Sequence, residues 1–151
     1  MKIHLHQNPE DELNGYTNIC LGQAADRDEA LDAVADDAEV MELIANNILE
    51  FIPLTKLIYY LEHLVKKVRH GGKIVITGID AYAVAKDYTS YRLSIEDFNL
   101  LLHGNQRETS EIKCATLTMY GVAVFLREEF GLTITRQNLD DYNYVIEATR
   151  P

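Results

Sequence analysis

Apolar positions along this chain follow two different periods, and the difference separates helix from strand. Between Leu54 and Arg69 they recur at three-and-four spacing (Leu54, Leu57, Ile58, Leu61, Val65, Val68), with Lys56, Glu62, Lys66, Lys67 and Arg69 elsewhere on the cylinder. This spacing predicts one long helix with a single wet side. Short aliphatic runs flank it, Val40–Ala45 and Lys73–Thr77, and neither alternates cleanly. That is the pattern of parallel strands covered on both faces. Asn46 and Asn47 form the polar turn out of the first run, and Gly71-Gly72 reads as the helix stop before the second. Strand, helix and strand in this order predict a right-handed βαβ unit.

The rest of the chain arranges itself around that unit. Lys2–His6 reads as a first strand and Tyr16–Leu21 as a second, separated by the turn-forming stretch Asn8–Gly15. Those eight residues are too few for a helical crossover, which takes about a dozen or more. The first crossover helix is therefore expected to be missing or shortened. Asp28–Val34 reads either as one or two helical turns or as a degenerate third strand around Leu31. Ser94-Ile95-Glu96-Asp97 is a capping-box-like start and Gly104 a stop, which predicts a helix over Ile95–His103. Leu117–Phe130, closed by Gly131, is a further helix. Thr133–Thr135 and Tyr144–Ala148 are two strands joined by a loop short enough for a hairpin. The expected fold is thus α/β: a Rossmann-like three-layer sandwich with a mostly parallel sheet and an antiparallel C-terminal hairpin.

Composition narrows what such a domain does. With 151 residues and 47% hydrophobic content, a single domain over 1–151 can bury a sizeable core. No apolar run approaches the roughly 20 residues of a membrane span, and the opening Met1-Lys2-Ile3-His4 reads as a strand, so a cytoplasmic protein without a membrane partner is expected. Cys20 and Cys114 lack metal-ligand spacing. The net charge is −10, concentrated between Asp26 and Glu42, where eight carboxylates face only Arg27. Such a surface repels phosphate backbones and argues against nucleic acid as a partner. It reads as a solvated acidic loop or as a site for a cation or sugar hydroxyls. His4-x-His6 places two imidazoles on one strand face without a third metal ligand nearby. Glu50 reads as a carboxylate complementing the start of the long helix. No phosphate-binding glycine loop and no nucleophile elbow occur.

Several stretches carry a family resemblance. Glu39–Ile52 and Val68–Ile76 resemble the second half of a class I S-adenosylmethionine-dependent methyltransferase, in which a strand ending in a "hxxVLEH" turn leads to a helix and an "LKPGGxhhI" strand. These stretches most resemble the small predicted methyltransferases often encoded beside glycan-biosynthesis genes. Lys2, Ile3, His4, Leu5, Gly15, Tyr16 and Asn18 match that family's opening "KLHLGCGxxxxPGYxNVD", Gly78-Ile79-Asp80 resembles its "xPD" turn, and Asn143 with Glu147-Ala148 its terminal "NxxxEAxKP". The family's cofactor glycines are here His6-Gln7-Asn8, its ribose-binding acid is Cys20, and Asn47 and Phe51 stand where it often has histidines. The resemblance implies that S-adenosylmethionine would lie against His6, Gln7, Asn8, Cys20, Ala45, Asn46 and Asn47, with Asp36 or Asp37 at the adenine. Asp80, Tyr82 and Gln106 would face the acceptor, a saccharide or other small molecule. Tyr88 and Tyr91 share a loop with Tyr82.

Two functions follow from the residues and the resemblance together. One is methyl transfer to a hydroxyl or amine, which needs in-line placement more than a strong base. The other is a catalytically inactive descendant of the same fold with a binding or assembly role. The short second strand leaves an unpaired edge, which favours a homodimer.

Overall fold

A computed structural model describes all 151 residues. Six strands form one sheet: β1 (Lys2–His6), β2 (Thr17–Cys20), β3 (Val40–Asn46), β4 (Val68–Ile79), β5 (Thr133–Asp140) and β6 (Asn143–Thr149). Their order is β2-β1-β3-β4-β6-β5. The first three pairings are parallel, and β6 runs antiparallel between β4 and β5. This is the expected Rossmann-like α/β fold with its antiparallel C-terminal hairpin.

The first crossover helix is absent. A 3-10 turn at Pro9–Asp11 is all the regular structure between β1 and β2, and the rest of the connection hangs on Asn18. Its Oδ1 accepts from the Leu13 amide and from His4 Nδ1, each at 2.9 Å, and its Nδ2 donates to the Leu13 and Tyr16 carbonyls at 3.0 and 3.2 Å. One carboxamide thus satisfies backbone groups that a helix would otherwise pair.

Five helices complete the chain: α1 (Arg27–Asp32), α2 (Leu54–Lys67), α3 (Ala81–Thr89), α4 (Ile95–His103) and α5 (Met119–Glu128). Leu31 lies buried in α1, so the helical reading of that segment holds and the third-strand reading does not. α4 has the predicted bounds, with Ser94 Oγ accepting from the Asp97 amide at 3.1 Å. α2 buries Leu57, Tyr60, Leu61, Leu64 and Val65, each aliphatic side chain contributing about 2 kcal/mol relative to exposure.

Two expectations are corrected. Gly71-Gly72 is no helix stop: α2 ends at Lys67 and β4 begins at the next residue, with the glycines in an irregularity between the pairs Val40↔Val68 and Glu42↔Lys73. The strands are also not covered equally on both faces. Ile3, Leu5, Leu43, Ala45, Ile74, Ile76, Ile146 and Ala148 share one face and join α1, α2 and α5 in a single apolar cluster. Their neighbours Glu42, Ile44, Lys73, Val75, Val145 and Glu147 turn the other way and lie outside that cluster. Ion pairs cross this second face: Glu42 with Lys2 and Lys73, each at 3.0 Å, and Glu147 with Arg136 at 3.5 Å.

The acidic segment is anchored rather than loosely solvated. Lys67, buried on α2, binds Asp32 at 2.6 Å and Asp37 at 3.1 Å. Asp26 caps α1 by accepting from the Asp28 and Glu29 amides, and Glu39 accepts from the Asp36 amide. No cluster of three or more His, Cys, Asp or Glu side chains is arranged to hold a metal, and no helix is long and apolar enough to cross a membrane.

Candidate functional site

At the carboxyl ends of β1 and β3 the chain opens into a cleft of about 750 Å³. This is where ligands settle in open α/β sheets. Gln7 and Asn8 form one wall, Gly22 and Gln23 follow β2, and Asn46, Asn47 and Phe51 follow β3. The fourth wall comes from α4 and the strap after it: Leu100, Leu101, Asn105, Glu108, Ser110 and Lys113. Six of these side chains are carboxamides (Gln7, Asn8, Gln23, Asn46, Asn47, Asn105), while three, Phe51, Leu100 and Leu101, are hydrophobic.

The polar wall is built by local hydrogen bonding. Asn47 has φ +50°, a left-handed conformation that asparagine tolerates. Thr77 Oγ1 donates to Asn47 Oδ1 at 2.6 Å, and Asn47 Nδ2 donates to Asn143 Oδ1 at 3.2 Å. The pair Asn46-Asn47 is thereby locked to β4 and β6. Gln7 Nε2 donates to the Ser110 carbonyl at 2.8 Å, tying the end of β1 to the strap, while Gln7 Oε1 is buried without a partner.

His6 lies behind the wall, 1% exposed, with Nδ1 donating to the Asn8 carbonyl at 2.6 Å. It stacks on His4 with ring centroids 5.0 Å apart, and burial holds the His4 pKa below its ordinary value.

Beneath the cleft a second polar group is sealed in. Glu50, 3% exposed, accepts from the Ile79 amide at 2.5 Å through Oε1, while Oε2 has no partner. Burial pushes its pKa up. It meets Tyr144 at Gly78, where an added Cβ would lie 2.6 Å from the Tyr144 hydroxyl and 2.8 Å from Glu50 Oε1. The helix-dipole reading of Glu50 is therefore replaced by a role inside the domain. Lys113 reaches the cleft from the strap, its Nζ donating to the Leu101 carbonyl at 2.9 Å, and burial lowers its pKa.

Of the residues singled out by sequence, Gln7, Asn8, Asn46 and Asn47 meet in the cleft. Ala45 points into the apolar core at 0% exposure. Cys20 donates its thiol to the Gln7 carbonyl at 3.4 Å. Asp37 stands outside the cleft because Lys67 holds it. Asp80 is 5% exposed and joins two helix starts, accepting from the Ala83 and Met119 amides at 3.2 and 3.0 Å. Tyr82 lies exposed on α3, which replaces the expected loop, beside Leu139 and Tyr142. Gln106, exposed, bonds back to the His103 carbonyl next to the cleft wall. The strap residues Glu108 and Ser110 were not legible beforehand, since only the tertiary tether to Gln7 brings them in.

The residues present do not fit S-adenosylmethionine in the manner of the resembled family. No carboxylate stands at the end of β2 for the ribose hydroxyls: Cys20 is there, and the next acid, Asp26, is engaged in capping α1. The backbone approach that family glycines allow is used up internally. An added Cβ at Gly22 would sit 2.2 Å from the Gln7 carbonyl oxygen, and the Leu21 amide donates to the His6 carbonyl at 2.8 Å. The ends of β1 and β2 pack tightly side by side where they enter the cleft.

No family model and no curated protein matches the sequence. Solved structures do match the fold. A SAM-dependent methyltransferase from Methanosarcina mazei superposes with a TM-score of 0.60 at 13% identity, covering 99% of this chain and 82% of that one. An O-methyltransferase family protein from Burkholderia thailandensis gives 0.54 at 11% identity over 89% of this chain and 36% of its own. The 1,6-didemethyltoxoflavin-N1-methyltransferase of the same organism, solved with S-adenosylhomocysteine bound, gives 0.51 at 12% identity over 78% and 46%. The chain thus spans less than half the length of the two Burkholderia proteins. At these identities the likeness is one of fold: this is a methyltransferase-like α/β domain.

Proposed function

We propose that this methyltransferase-like domain uses its carboxyl-edge cleft to bind a hydroxyl-rich small molecule of the saccharide type, without transferring a methyl group. The observation that carries the reading is the carboxamide wall. Gln23 and Asn105 make no side-chain hydrogen bond of their own and each offers a donor and an acceptor side by side, the pattern that matches vicinal hydroxyls. Asn47, held at both ends by Asn143 and Thr77, shapes the wall, and Phe51 supplies one ring face for stacking. The side chains of His6-Gln7-Asn8 in place of glycines and the thiol at Cys20 in place of a carboxylate argue against the nucleoside cofactor.

A second reading, methyl transfer from S-adenosylmethionine, is favoured by the cleft's position at the strand ends and by the methyltransferases that share the fold. Thermal-shift and calorimetric titrations separate the two. Ligand at 100 times its dissociation constant raises stability by about 2.7 kcal/mol. The first reading expects that response from a mono- or disaccharide and none from S-adenosylmethionine or S-adenosylhomocysteine. Micromolar binding of either nucleoside would replace it with the second.

A further inference from the structure

Lys113 lines the cleft without forming an ion pair. Lys67, the fully buried lysine of the domain, has carboxylates at 2.6 and 3.1 Å. Lys113 is half-buried in the strap, yet its one protein contact through Nζ is the Leu101 carbonyl at 2.9 Å, and it takes part in no ion pair. Glu50, the carboxyl that acts on it through space, is sealed beneath the cleft and forms no ion pair with it. Glu111, on the same strap, is engaged by Arg107 at 3.0 Å. Asp11 and Glu108 are exposed at the rim, where water screens them. Leaving an ammonium desolvated and unpaired costs free energy, and an anion on the ligand would recover it.

We propose that the cleft selects a hydroxylated ligand bearing a carboxylate or phosphate group, with Lys113 Nζ contacting the anion. This rests on the saccharide reading above and names its chemical class. A charge-assisted contact of this kind favours the anionic ligand over its neutral analogue by roughly ten-fold or more.

Calorimetry with glucose, glucuronate and glucose 6-phosphate tests it on the whole chain. The expected result is a preference of about ten-fold or more for one or both anionic sugars, the two arms distinguishing carboxylate from phosphate. That preference should fall to near unity in Lys113→Met and survive in Lys113→Arg, with circular dichroism reporting that both variants fold. Equal affinity for glucose and both acids, or a preference retained in Lys113→Met, overturns the proposal. A second measurement separates it from the saccharide reading: the lysine side-chain NMR signals during titration with inorganic phosphate. If no sugar binds but phosphate shifts the Lys113 resonance selectively, the anion contact stands and the saccharide reading fails. If neither sugars nor phosphate move it, the anion contact fails as well.

Discussion

The two faces of the sheet obey different rules. On one, Leu43, Ala45, Ile74 and Ile76 press against α1, α2 and α5 and leave almost no accessible surface. On the other, Glu42, Ile44, Lys73 and Val75 occupy the alternating positions of the same two strands, with charges paired across neighbours. Losing the first crossover helix leaves this second face with side-chain ladders of the sort that let a sheet meet water. The difference teaches that the fold is held from one side, so its tolerance to change should be equally lopsided.

The sharpest way to break that contrast is Leu43→Ala, which should cost about 3–4 kcal/mol by opening a cavity in the covered face, measured by urea denaturation. Gly22→Ala comes next, because the added methyl meets a backbone carbonyl that cannot rotate away. We expect a loss of about 2 kcal/mol together with weaker ligand binding, as the wall formed by Gln7 is displaced.

Glu50→Gln probes the sealed group below the cleft. The folded pKa of Glu50 lies above its ordinary 4.5. Its contribution to stability is therefore fully present below about that pH and is lost as pH rises through the raised value. The variant keeps an acceptor for the Ile79 amide and should escape this loss, ending more stable than the parent once the pH is above the raised value; a parent advantage there would sink the assignment. Ile44→Thr on the wet face should do least, under about 1 kcal/mol. A cost equal to that of Leu43→Ala would show that something covers this face in solution.

Much of the scaffold was legible because local signals agreed with tertiary needs. The three-and-four spacing gave α2, Ser94 and Gly104 bounded α4, and the aliphatic runs gave β3 and β4. Where sequence reasoning went wrong, the deciding contacts were distant. Gly71-Gly72 looks like a helix stop, yet pairing of Val68 with Val40 pulls the chain into strand before the glycines arrive. Ile44 looks core-facing by type but is half-buried, while Val75 is buried yet outside the main apolar cluster, and nothing local reports that a helix is missing above them. In the cleft, the asparagines at the end of β3 were readable as strand-end polar residues, while Lys113 enters through the bond between Gln7 and Ser110, which are separated by 103 positions.

The helix-free face also bears on how much sequence variation such a fold admits. Substitutions there are nearly free as long as neighbouring charges remain balanced, so sequence can drift across half of the sheet while the other half keeps the architecture. An alignment score sums both halves without distinction, whereas a superposition follows the backbone that the packed half maintains. Shape can therefore agree where sequence does not, as an identity of 13% alongside a superposition spanning 99% of the chain illustrates.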